Sequence, residues 1–190
     1  MLICYLSGRS PEYIPYVFQI LGQMLELHMT SIPNEYRSVL PFLLTPAGWQ
    51  QKGSIPGLVK LLKAFLTRDS AQLVETGQYT AILAVVQQRL IPSKINDGWG
   101  FELLQAVVQN IPPCADPFIF SSSRSEHIFR QTLRQYFPAV IVSLLSRMQT
   151  SKTEKYVYHF VYFLTFVMGI NVPGLSPDYL IEIVEQIQGG

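Results

Sequence analysis

Apolar side chains recur at helical spacing through nearly the whole of this 190-residue chain. From Pro11 they fall at Ile14, Val17, Phe18, Leu21 and Leu25, and further on at Ile55, Leu58, Val59, Leu62, Phe65 and Leu66. The longest stripe is Phe129, Leu133, Phe137, Val140, Ile141, Leu144, Leu145 and Met148; the last is Leu180, Ile183, Val184 and Ile187. A repeat at i, i+3, i+4 and i+7 gathers apolar groups on one side of a 3.6-residue turn, the mark of a helix with one buried face. No stretch sustains the period-two alternation of a half-buried strand between turn signals. The chain is expected to be all-α.

Punctuation agrees with the stripes. Ser10-Pro11 and Ser176-Pro177 place a capping hydroxyl before a proline at the first helical position, where the missing N–H costs nothing. Ser123 to Glu126 and Ser151 to Glu154 read as capping boxes. Proline and glycine clusters at 32–34, 53–54, 91–93, 111–113 and 171–174 break helices between them. The spacing predicts eight helices in about four antiparallel pairs: 11–29 with 34–45, 55–67 with 71–91, 97–110 with 126–148, and 154–169 with 177–188. Each pair takes roughly 45 residues, the period of HEAT and armadillo repeats. A single helical-repeat solenoid over 1–190 is the expected architecture, although no consensus letters repeat between pairs and a globular bundle also fits. The segment 114–125 (CADPFIFSSSRS) carries no stripe and reads as an irregular loop or insertion.

Apolar residues make up 48% of the chain and charged ones 14%, the reverse of a disordered composition. Fourteen Lys+Arg against thirteen Asp+Glu give a formal charge of +1, without the basic excess that nucleic acid binding needs to neutralise phosphates. Cys4 and Cys114 show no paired spacing and read as free thiols. The apolar N-terminal run is too short and lacks the basic start of a signal peptide. Tyr156 to Ile170 is the longest apolar segment, but its fifteen residues fall short of the ~20 needed to cross a bilayer. It reads as a helix apolar all round, to be covered on both sides.

Catalytic chemistry finds no foothold in these letters. His28, His127 and His159 lie far apart on separate helices, with none of the spacings that bring three or four metal ligands together. Cys114 with His127 is the one conceivable nucleophile–base pair, and no turn motif activates the thiol. Gly98-Trp99-Gly100 lacks the further glycine and the preceding strand of a phosphate loop. It reads instead as a helix start after Asn96 and Asp97, with Trp99 at least half buried. No cofactor and no enzyme activity are expected.

Four blocks of letters add a family resemblance. Tyr13 to Gln19 (YIPYVFQ) is similar to a helix of the CAS family of exportins, the importin-α re-exporters. Trp49 followed by Gly53 to Leu66 (GSIPGLVKLLKAFL) resembles a second block, departing at Ser54 and Gly57. Gln88 to Leu104 and Arg147 to Thr153 resemble two more, and all four occur in family order. Residues 1–10 and 114–131 carry no such likeness. The resemblance implies a HEAT-repeat solenoid that wraps importin-α together with Ran-GTP, contacts nuclear pore proteins, and shuttles between nucleus and cytoplasm. It also implies that GTP is held by Ran, so no phosphate loop is expected here. Two inter-helix loops lie within matching blocks and carry charge. Lys94, Asn96 and Asp97 in one, and Lys152 and Lys155 in the other, are the candidate partner contacts. The plainer reading is that Asn96 or Asp97 caps a helix and the lysines are solvated. A HEAT scaffold for another partner is the alternative function, and a membrane-associated helical protein a third.

Overall fold

The computed structural model describes residues 13–27, 32–110, 124–151, 153–170 and 176–188, with side chains described except at 124–130, 151 and 186–188. Helices are α1 (Ile14–Leu27), α2 (Asn34–Arg37), α3 (Leu40–Leu43), α4 (Ile55–Glu75) and α5 (Gln78–Val85). They continue with α6 (Asp97–Gln109), α7 (Arg124–Ser151), α8 (Glu154–Ile170) and α9 (Pro177–Gln188). No strand occurs among the described residues. The chain divides into two compact units, Met1–Ser70 and Ala71–Gly190.

In the first unit, α1 lays Phe18 and Leu25 into a core with Leu43, Trp49, Leu58, Leu62 and Phe65, all but fully buried. Phe18 stacks on Phe42 with ring centroids 5.9 Å apart. Buried Trp49 donates its indole N–H to the Leu43 carbonyl at 2.8 Å, satisfying its one polar atom. Gly57 lets α4 approach α1: a Cβ there would stand 2.7 Å from the Pro15 carbonyl oxygen. The expected helix 34–45 is instead two single turns, α2 and α3, followed by 3₁₀ turns at Pro46–Trp49 and Lys52–Ser54. The segment is too short to carry a sustained apolar stripe. The Arg37 guanidinium instead pairs in bidentate fashion with Asp69, thirty-two residues on. At Asp69 the backbone leaves helical geometry (φ −140°, ψ 26°), so α4 is kinked there. That is the break the stripes place between 67 and 71.

The described part of the second unit is a set of packed helices. α6 packs most extensively on α8, while α7 packs with both α5 and α9. The expected helix 71–91 is interrupted at Gly77, whose φ of 70° is open to glycine and strained for other residues. It then closes in a π-helical turn, Val86–Leu90, sealed by Ile91 N–H donating to the Val86 carbonyl at 3.0 Å. α7 runs through Pro138. At α9 the sequence-predicted cap is present, Tyr179 N–H donating to Ser176 Oγ at 3.3 Å.

α8 corrects one expectation. Tyr156, Phe160, Phe163 and Val167 are buried, but Val157, Tyr158, Val161, Tyr162 and Met168 face outward and are exposed. The helix is apolar all round, yet one side alone is covered among the described residues. No described helix is long and apolar enough to cross a membrane. Cys4, Cys114, His28 and the side chain of His127 lie outside the described residues.

Candidate partner interface

The loop before α6 is short and closed on itself. Ser93 O accepts from Asn96 N–H at 3.1 Å and Asp97 N–H at 2.9 Å, and Asn96 O accepts from Gly100 N–H at 3.1 Å. This winding turns Asn96 and Asp97 inward, leaving them 8% and 3% exposed. The expectation of exposed polar side chains at these two positions is therefore corrected. Asp97 Oδ1 accepts the Gly98 backbone N–H at 2.8 Å and lies 3.7 Å from Lys155 Nζ. Asn96 occupies the helix-capping position without a side-chain capping bond. Carboxylates are favourable in the first turn of a helix, where unpaired N–H groups concentrate positive charge. Asp97 is thus structural, and it brings two of the sequence-predicted charges together across the α6–α8 seam.

Lys94 is exposed at the loop tip and Lys155 is exposed at the start of α8, whereas Lys152 lies outside the described residues. Ile95, beside Lys94, is 70% exposed. The sequence reading missed it because an isolated isoleucine in a loop carries no periodic signal. Trp99 is partly buried.

Beneath this edge the seam is aromatic. Phe101 meets Tyr156 edge-on at 5.3 Å, stacks on His159 at 5.9 Å and tilts against Phe163 at 6.0 Å. The buried Tyr156 hydroxyl donates to the Leu144 carbonyl of α7 at 3.0 Å. Burial raises the Tyr156 phenol well above its ordinary pKa; Arg147 pulls the other way and Asp97 adds to the rise. Arg147 and Asp97 therefore each sit within electrostatic reach of the Tyr156 phenol. The Nε and Nη2 of Arg147 are shielded from solvent and have no hydrogen-bond partner among the described residues. Shielding guanidinium donors costs solvation, and sequence patterning gives no sign of it. No group of three or more metal-ligand side chains converges among the described residues.

Residues 4–190 match the family described as CAS/CSE protein, C-terminus. This chain belongs to the CAS/CSE family. The match takes in the 114–131 segment as well as the four similar blocks. The Exportin-2 proteins of Pagrus major and Homo sapiens are each 36% identical over 161 residues, 84% of this chain. The chain spans 15% of the length of those relatives. The solved structure of the exportin Cse1 in its cargo-free, cytoplasmic state matches with a TM-score of 0.73 at 32% identity. That match covers 98% of this chain and 18% of the other. The all-α helical-repeat solenoid expected from the stripes is thus the CAS/CSE fold.

Proposed function

We propose that this chain serves as the C-terminal region of a nuclear export receptor that binds importin-α together with Ran-GTP and returns importin-α from nucleus to cytoplasm. The observation that carries the reading is the CAS/CSE match over residues 4–190, joined to 36% identity with Exportin-2 proteins. The receptor shuttles through the nuclear pore by contacts with pore proteins and acts without enzymatic chemistry, since the nucleotide belongs to Ran. In a helical stack the inter-helix loops are free to meet partners, because the helix faces pack on neighbouring repeats. Lys94, Ile95 and Lys155 form the exposed contact edge, with Asn96 and Asp97 holding its geometry from below.

The test is a chimera: human Exportin-2 with its matching segment replaced by this chain. Immobilised chimera is expected to retain importin-α with Ran locked to GTP and not with Ran-GDP. Reversing charge at Lys94, Lys152 and Lys155 should weaken that retention most at low salt, where screening is least. Retention equal with GTP and GDP, or none, would refute the reading. Unchanged affinity in the charge-reversed chimera would remove the lysines from it.

A further inference from the structure

The bend in α4 falls where the first compact unit ends. Asp69 leaves helical geometry, and the unit closes one residue later, at Ser70. Past the bend the helix runs only to Glu75 before it breaks again at Gly77, whose φ is 70°. Ser70 to Glu75 is therefore a short helical piece between two breaks, and a helix that short does not hold its own bonds in water without tertiary support. Core side chains grip it on either flank, Leu66 before the bend and Leu73 and Val74 after it. The bend itself has no such grip: Thr67, Arg68, Ala71 and Gln72 are exposed, and Asp69 and Ser70 are partly so.

The two breaks are held by different means. At Gly77 the bonds are local, with Thr76 N–H donating to the Gln72 carbonyl at 2.9 Å and Gly77 N–H to the Val74 carbonyl at 3.0 Å. At Asp69 they are long-range and charged. The Arg37 guanidinium takes both oxygens of the Asp69 carboxylate, and its Nε donates to the Ile32 carbonyl at 3.3 Å. Arg68, next in the chain, donates to the Glu26 carbonyl near the end of α1. Two parallel bonds between a planar guanidinium and a carboxylate fix direction as well as distance. The side chains of Arg37 and Asp69 are 25% and 14% exposed, so water can reach the pair and take its place.

We propose that the Arg37–Asp69 pair is the latch of a joint in α4. Closed, it fixes the bend. Open, the turn from Thr67 to Gln72 unwinds as one small unit, while the flanks at Leu66 and Leu73 stay packed. Local openings of this kind occur where backbone hydrogen bonds are solvent-exposed and few apolar contacts back them, as they are at this turn. The joint rests on the geometry of α4 alone and stands whether or not the transport reading does.

Amide hydrogen exchange of the whole chain, read by peptide mass spectrometry, is the test. Arg37→Ala and Asp69→Asn should each speed exchange over 67–72 by roughly five- to thirtyfold, the factor for losing one charge-assisted contact. Exchange over 55–66 and 78–85 should stay as in the unaltered chain. Arg37→Lys should fall between, because it keeps the charge and loses the fork. The double variant should exchange no faster than either single one, since both remove the same contact. Arg37→Asp with Asp69→Arg should recover part of the protection. If Arg37→Ala fails to fold, Arg37→Lys against the unaltered chain carries the same comparison. Unchanged exchange over 67–72 would mean that packing at Leu66 and Leu73 alone holds the bend, and overturns the proposal. So does equal acceleration across 55–85, which would make the pair a support of global stability only, or single effects that add in the double variant.

Discussion

The two sides of α8 are built from the same kinds of residue and meet opposite fates. Tyr156, Phe160, Phe163 and Val167 are sealed against α6 and α7, while Tyr158, Val161, Tyr162 and Met168, one or two positions away, lie open. Neither hydrophobicity nor helical propensity separates the two sets. What differs is the neighbour: Phe101 and Phe137 close on one face, and no described element reaches the other. Burial in a stacked-helix protein is thus a property of the adjacent repeat as much as of the residue, which is why such stacks need covered or polar ends.

Truncating both faces gives the sharpest contrast. Phe163→Ala removes a side chain with no exposure that touches Phe101 and Phe137, and should cost about 3–5 kcal/mol by urea unfolding. Tyr162→Ala on the open face of the same helix should stay within about 0.5 kcal/mol at concentrations where the chain is monomeric. Adding a methyl group tests the same contrast from the other direction. Gly57→Ala drives a Cβ to 2.7 Å from the Pro15 carbonyl and should cost about 1–3 kcal/mol in thermal melts. Gly169→Ala, in α8 with nothing within 4 Å, should be neutral or stabilise by up to about 1 kcal/mol.

Tyr156→Phe removes the buried phenol's bond to the Leu144 carbonyl, which keeps its helical N–H partner, and should cost about 1 kcal/mol, where Tyr158→Phe costs nothing measurable. The buried phenols of Tyr79 and Tyr156 have folded pKa values raised above the unfolded value of 10.0. Their contribution is therefore whole below pH 10 and declines as pH rises beyond it, because the unfolded chain ionises first. Denaturation at alkaline pH should follow, and Tyr79→Phe with Tyr156→Phe should flatten that decline. The smallest effect belongs to the pair of exposed Lys155 with buried Asp97: Lys155→Ala, 3.7 Å from that carboxylate, should cost no more than about 1 kcal/mol.

Periodicity made the long helices legible. Boundaries near 97–110, 154–169 and 177–188 emerge within a residue or two, because their stripes and caps are local features. The segment 71–91 was harder, since the left-handed residue Gly77 stands inside an otherwise helical pattern. At 34–45 the decisive interaction is Arg37 with Asp69, a long-range pair that no window of sequence contains. The candidate site was half legible. Lys94 and Lys155 are exposed as charge placement suggests, but the inward turn of Asn96 and Asp97 depends on the Ser93 carbonyl and on α8 across the seam. Ile95 and Arg147 gave no signal at all, since exposure of an apolar side chain and shielding of a guanidinium's donors both run against their composition.

The contrast within α8 comes down to the reactivity of three tyrosines on one helix. Limited iodination of the native chain at low micromolar concentration, read by peptide mass spectrometry, tests it directly. Tyr158 and Tyr162, 67% and 55% exposed, should label readily, while Tyr156, at 0%, stays unmodified until denaturant is added. Tyr156 labelling as fast as Tyr158 in the folded chain would contradict the account.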